Sequence, residues 1–236
     1  MARIIPGYPG NLLVSAMAAS FILLMTLYNF NPPVITHALT TEKVIALTVD
    51  DGPDPMYSPE IVRILDRYGI NATFFVVGEQ VEKYPQIVKM EAEAGNEIGN
   101  HSYTHNNLDC LKHLDVREEI ISTNDIICKY TGQNVNWFRP PRRRHHRSVV
   151  REAKLQGLDT ILWTSVVETK RARDPEEMAG LVIEQAHPGG IILLHDSRLD
   201  RSKTLEALPM IIEGLHKEGY RFVTLSELFG RRNRGI

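Results

Sequence analysis

The 236-residue chain is 43% hydrophobic and 24% charged, an ordinary globular balance that excludes a disordered or low-complexity protein. Its 27 Lys and Arg against 29 Asp and Glu leave a net charge of -2, so nucleic acid is not expected as a partner. Two cysteines, Cys110 and Cys128, with no Cys-x-x-Cys pair, exclude a structural zinc knuckle and leave a disulfide open.

In chain order, the first feature is an apolar stretch of 19 residues, Leu12 to Phe30, without a charged residue and long enough to cross a bilayer. Arg3 precedes it, Tyr28 lies near its end and Asn31-Pro32-Pro33 breaks it. Residues 1–30 are expected to form a single-pass anchor that holds the rest of the chain outside the cytoplasmic membrane. The alternative is a signal peptide, cut after Ala38, that releases a secreted protein. Residues 31–42 read as a linker, 43–230 as one globular domain and 231–236 as a basic tail.

Within the domain, strand-like and helix-like runs alternate. Val44 to Val49 is apolar and β-branched and reads as a buried strand, which Gly52-Pro53 ends. Ser58 followed by Pro59 opens a helix that reaches Tyr68. Ala72 to Val77 reads as a strand, Glu79 to Ala94 as a helix ended by Gly95, and Glu97 to His101 as extended. Val116 to Tyr130 is amphipathic and stops before Gly132. Strands at Val135 to Phe138, Thr160 to Trp163, Ile191 to Leu194 and Arg221 to Thr224 alternate with helices at Ser148 to Gln156, Asp174 to His187 and Thr204 to Glu218; Leu225 to Phe229 is a short final helix. About seven β-α pairs imply an α/β fold with a parallel sheet covered by helices, either open or closed into a barrel. In both, reactive groups collect at the carboxyl ends of the strands.

The residues that carry chemistry fall at those ends. Asp50 and Asp51 close a buried run, where two carboxylates are costly to desolvate unless their charge is used. A divalent metal uses it. His101 and His105 are spaced so that one helical turn or a comparable bend puts both imidazoles on one side. One Asp with two His makes a three-ligand site with an open position, the catalytic form of a zinc site, and frees the other Asp to act as a base. Arg139, Trp163 and His195 lie at or just after other strand ends and converge on the same face.

The segments Thr48-Val49-Asp50-Asp51-Gly52-Pro53-Asp54, His101-Ser102-Tyr103-Thr104-His105, Arg139-Pro140-Pro141 and Leu193-Leu194-His195-Asp196 resemble, in order and spacing, the motifs of the polysaccharide deacetylases, the NodB-homology carbohydrate esterases. The resemblance runs from about Lys43 to Phe229. It implies a distorted (β/α) barrel and a metal-dependent hydrolase that removes N-acetyl groups from sugar polymers. By position it implies Asp51, His101 and His105 as metal ligands, Asp50 as general base, Arg139 as the partner that keeps Asp50 ionised, and His195 as general acid. It also implies Leu194, Pro141 and Trp163 as pocket walls and the backbone N–H of Arg142 as oxyanion donor. The chemistry agrees, because an amide needs its carbonyl polarised and its water activated. Zinc does both, lowering the pKa of bound water toward about 7; the same ligands accept cobalt, nickel or iron.

Two departures from the family pattern stand out. Motif three usually continues with an aromatic residue and a glycine, but here Arg142-Arg143-Arg144-His145-His146 follows, a basic wall that favours an anionic glycan or else a solvated loop. After Trp163 the family places an Asp that orients the acid histidine; Val166 stands at that position. Glu168 replaces it if a bulge turns its side chain inward; otherwise His195 loses a stabiliser of its charged form. The expected function is therefore hydrolysis of N-acetyl groups on cell-wall glycan, peptidoglycan GlcNAc or MurNAc first and chitin-like oligomers next. The alternative is a glycan-binding relative of weak or no activity.

Overall fold

The computed structural model describes residues 31–230. The apolar stretch Leu12 to Phe30 and the basic tail 231–236 lie outside the described residues. Among the described residues no helix is long and apolar enough to cross a membrane. The longest, His113–Thr131, carries charged residues along its length. That finding overturns the expected single-pass placement at the cytoplasmic membrane, with the membrane as a partner.

Nine parallel strands form one sheet: β1 (Val34–Ile35), β2 (Val44–Asp50), β3 (Thr73–Val76), β4 (Glu97–Asn100), β5 (Trp137–Phe138), β6 (Asp159–Ile161), β7 (Ser165–Val166), β8 (Ile191–His195) and β9 (Arg221–Val223). Their order is β1-β6-β5-β4-β3-β2-β8-β7, so the sheet is a curled half-barrel left open between β1 and β7. Ala46 pairs with Ile191 of β8 on one side and Val223 of β9 on the other. Strand β9 thus lies on the β3 side of β2, below the point where β3 joins at Thr48.

The sequence reading expected about seven strands, and the two additional ones are two-residue pieces whose pattern is too short to register. One of them, β1, falls in the stretch expected to be a linker. It pairs with β6, and Ala38 N–H donates to the Gly189 carbonyl at 2.8 Å. Cleavage after Ala38 would therefore remove a strand from the sheet.

The helices are α1 (Ser58–Tyr68), α2 (Gly78–Lys83), α3 (Pro85–Glu93), α4 (His113–Thr131), α5 (Arg147–Leu155), α6 (Pro175–Glu184), α7 (Ser202–Lys217) and α8 (Leu225–Leu228). Pro85 lacks the N–H that a continuous Glu79 to Ala94 helix needs, so the chain restarts there as α3. Ser58 does not cap α1: the N-cap is Tyr57, and the Ser58 hydroxyl is engaged by buried Asp196 instead. Asp174 caps α6 as expected, accepting from Glu177 N–H at 2.8 Å. Cys110 and Cys128 are both free thiols.

Side chains alternate across each strand, and this decides what reaches the site. On β2, Ile45, Leu47 and Val49 enter the main core under the helices, while Ala46 packs inside the curl with Phe75, Trp137, Ile161 and Ile191. Thr48 and Asp50 continue the Ala46 face, stepping from the floor of the curl to its carboxyl-end mouth.

Candidate active site

Strand β2 delivers Asp50 in register with His195 of β8. The next residue, Asp51, has a φ of 84°, and Ser102, His105, Arg142, Arg143 and Arg198 are the other non-glycine residues with positive φ among the described residues. Such conformations persist where the surroundings impose them, and they cluster at ligand sites.

His101 follows β4, and the segment to His105 is a bent loop, the comparable bend allowed by the sequence rather than a helical turn. Its shape is fixed from below. Asn100 accepts from Ser102 N–H at 2.8 Å and donates to the Ile120 carbonyl and to Asn124 on α4. Glu119, also on α4, accepts from the backbone N–H groups of Tyr103 and Thr104 at 2.8 and 2.9 Å. His101 Nδ1 lies 2.7 Å from the Arg139 carbonyl oxygen. A carbonyl only accepts, so Nδ1 carries a proton and Nε2 of the neutral ring is left with a lone pair.

That Nε2 lies 3.6 Å from Asp51 Oδ1, and His105 Nε2 lies 3.0 Å from the same oxygen. Asp51, His101 and His105 are buried and offer one ligand atom each within 4.8 Å of one another. Burial opposes the charge on Asp51, but hydrogen bonds and charge from both histidines outweigh it and hold the carboxyl far below its usual range. Burial pushes His105 down, against the hydrogen bond that its ring donates to Asp51. A carboxylate oxygen and two imidazole nitrogens held together in one buried group are a donor set that fits a divalent cation.

Arg139 is fully buried beneath this group. Its Nη1 donates to Asp50 Oδ1 at 2.7 Å and to Thr48 Oγ1 at 2.9 Å, and its Nη2 to the Leu162 carbonyl at 3.2 Å. The guanidinium stacks over Phe75 at 4.1 Å from the ring centroid. Asp50 is thereby fixed in position and paired with a charge that stays on at any working pH.

Across the mouth, His195 Nδ1 lies 3.0 Å from Glu168 Oε2. Glu168 Oε1 accepts from His195 N–H and from the Thr204 hydroxyl, both at 2.9 Å. Val166 pairs with Leu193 on the β7-β8 ladder, and a bend at Val167 and Glu168 carries the Glu168 carboxylate to His195 two residues farther on. Burial works against the charged imidazole, but the Glu168 hydrogen bond and the charges of Glu168, Asp50 and Asp51 raise its pKa above the ordinary 6.5. Glu168 is lowered in turn: burial opposes its charge, and His195 outweighs that opposition.

Behind His195, Asp196 receives the Ser58 hydroxyl and leaves Oδ1 unpartnered. Burial pushes its pKa up to about 7, aided by the charges of Asp51 and Asp54. Gly52 is required beside it, because a Cβ there would collide with the Asp196 carboxylate.

A cavity of about 340 Å³ opens over these groups, with Pro140, Arg142, Arg143, Trp163, Val166 and Leu193 as its remaining lining. Two expected wall residues are displaced. Leu194 does not line the cavity: it points with Ile192 into the main core, and Leu193, on the same face as His195, takes the wall. Pro141 is buried at the start of a short 3₁₀ turn, and Pro140 takes its place.

The family model for polysaccharide deacetylase matches residues 37–161, just over half of the chain. The chain belongs to the polysaccharide deacetylase family. It is 38% identical over 189 residues to a peptidoglycan-N-acetylglucosamine deacetylase of Bacillus cereus, covering 79% of this chain and 88% of that one. With a peptidoglycan-N-acetylmuramic acid deacetylase of Bacillus subtilis it shares 35% identity, covering 80% and 72%. Among solved structures, a CE4 family pseudoenzyme from Bacillus anthracis superposes with a TM-score of 0.78 at 33% identity, covering 85% of this chain and 70% of that one. By these relationships the protein is an enzyme of the polysaccharide N-deacetylase class.

Sequence reasoning did not single out Leu193, Pro140, Arg198 or Thr204 in this deacetylase. For Leu193 the signal was present: period-two spacing back from His195. Arg198, whose Nε lies 3.4 Å from Asp51 Oδ1, sits in a loop with no pattern to read.

Proposed function

We propose that the protein removes N-acetyl groups from cell-wall peptidoglycan. One observation carries the reading: the Asp51, His101 and His105 group shares its cavity with Arg139-paired Asp50 on one side and Glu168-paired His195 on the other. A divalent cation held by Asp51, His101 and His105 would supply Lewis acidity that polarises the acetamide carbonyl and lowers the pKa of water; zinc suits this donor set best.

The chain's own residues supply the rest. Asp50 takes the proton from the attacking water, and Arg139, at 2.7 Å, holds its carboxylate aimed. The backbone N–H of Arg142 donates to the oxyanion as it forms. His195 gives its proton to the departing amine, a poor leaving group until protonated, and Glu168 holds the imidazolium ready. The ring of Trp163 offers a face for the sugar. The reading as an inactive glycan-binding relative rested on the degenerate fourth motif and the altered third, and Glu168 answers the first of these by bringing a carboxylate to His195.

The test is acetate release by the full chain, loaded with zinc, on peptidoglycan and on chitooligosaccharides, with Asp50→Asn as control. Release that vanishes in the variant is expected. A folded, metal-loaded protein that releases none from either glycan would overturn the proposal.

A further inference from the structure

Arg143 stands where the family motif carries a glycine, and its backbone keeps the conformation that glycine favours, with φ of 60° after Arg142 at 55°. Two successive side chains in the left-handed region are strained, and glycine at position 143 would relieve that strain. The chain keeps an arginine there and turns it to the cavity. Its guanidinium carbon lies 5.6 Å from the centroid of the Trp163 ring, and Arg143 forms part of the cavity wall.

The other cations around the mouth have partners. Arg139 is paired with Asp50, Arg198 with Asp51, and Arg144 donates to both oxygens of Asp109 at 2.7 and 2.9 Å. Arg142 donates to the neutral Asn107 amide oxygen at 2.6 Å. Arg143 forms no ion pair among the described residues. A guanidinium held over an aromatic face in a cation-π contact, with no carboxylate beside it, keeps N–H groups for a ligand, and its planar fork matches a carboxylate.

We propose that Arg143 is a specificity-determining residue that binds a carboxylate of the substrate, so that the preferred substrate is an anionic N-acetylated glycan rather than a neutral one. The inference rests on the deacetylase reading above. In peptidoglycan the carboxylate has two sources. One is the lactyl ether of muramic acid, on the carbon next to the acetamide; the other is the acids of the stem peptide, which is joined through that lactyl group as an amide.

The experiment compares kcat/KM for acetate release by the zinc-loaded full chain on three substrates: peptide-free glycan strands, strands that keep their stem peptides, and chitooligosaccharides. The variants are Arg143→Gly, which relieves the strain, Arg143→Lys, which keeps charge without the fork, and Arg144→Gln as the control on a cation already paired. Wild type is expected to prefer an anionic glycan over the neutral one. Arg143→Gly should shrink that preference about tenfold or more, chiefly through KM, with Arg143→Lys between and Arg144→Gln unchanged. Preference for peptide-free strands names the lactyl acid as the group bound; preference for peptide-bearing strands names the peptide acids. A preference that Arg143→Gly leaves intact, or no preference in wild type, overturns the proposal while the deacetylase reading stands. Absence of acetate from all three substrates overturns that reading, and the proposal with it.

Discussion

Glu168 Oε2 lies 3.0 Å from His195 Nδ1, and the same carboxylate takes the His195 backbone N–H. A residue two places beyond the position where the family carries an aspartate thus reaches His195. Its longer side chain and the bend at Val167 and Glu168 make up the distance.

The first prediction is a pH profile. If His195 is the general acid proposed above, it donates its proton only when charged, and the alkaline limb of activity should follow its pKa. A cation held by Asp51 would offset part of the carboxylate charge that raises His195, which would leave Glu168 as the main support. Glu168→Gln should move the alkaline limb to lower pH and reduce kcat at pH 8 by at least about tenfold. A limb that stays in place would show that Glu168 does not set the acid. The linkage has a definite sign. The raised His195 contributes stability in full below its ordinary 6.5, and that contribution is lost as pH rises through the folded value. The lowered Glu168 contributes above its ordinary 4.5 and loses that as pH falls through its folded value. The pair therefore stabilises the fold most between pH 4.5 and 6.5.

The second prediction separates base from ligand. Asp50→Asn should bind zinc as wild type does and lose kcat by roughly 10²–10⁴-fold. His101→Ala should lose metal and turnover together. Calorimetric titration with zinc is the check, and a chelator should lower the Tm of wild type but not of His101→Ala.

How much of this was legible in the sequence follows from the physics of each element. Strand β2 is buried on both faces, so its apolar run and the carboxylates at its end were readable as a strand with a costly terminus. Asp174 and Gly132 marked helix ends through local hydrogen bonding and backbone freedom. Strands β1 and β7 were not readable, because two residues carry no period. Ser58 was misread as a cap because its actual partner, Asp196, is 138 residues away. The inward turn of Glu168 depends on a bend at the end of a β7-β8 pairing made across the chain, and only the fold brings those strands together.

The third prediction uses the alternation on β8. Leu194 is fully buried in the main core, so Leu194→Ala should destabilise the fold by about 2–5 kcal/mol in denaturant titration without changing the KM ratio between N-acetyl and N-propionyl substrates. Leu193→Ala should change that ratio in favour of the larger acyl group, because Leu193 walls the cavity. The reverse pattern would mean that the face assignment is wrong.

The fourth prediction concerns Asp196, buried with one oxygen unpartnered. Burial raises its folded pKa from an ordinary 3.8 to about 7, so the fold prefers the neutral acid. That preference stabilises in full below pH 3.8 and is lost as pH rises through about 7. Asp196→Asn keeps the shape, keeps an oxygen for Ser58 and cannot ionise. It should raise Tm at pH 8 relative to wild type, and the gain should shrink toward pH 5. If the amide instead lowered Tm equally at both values, the carboxylate form would be the one that the fold holds, with Ser58 as its donor.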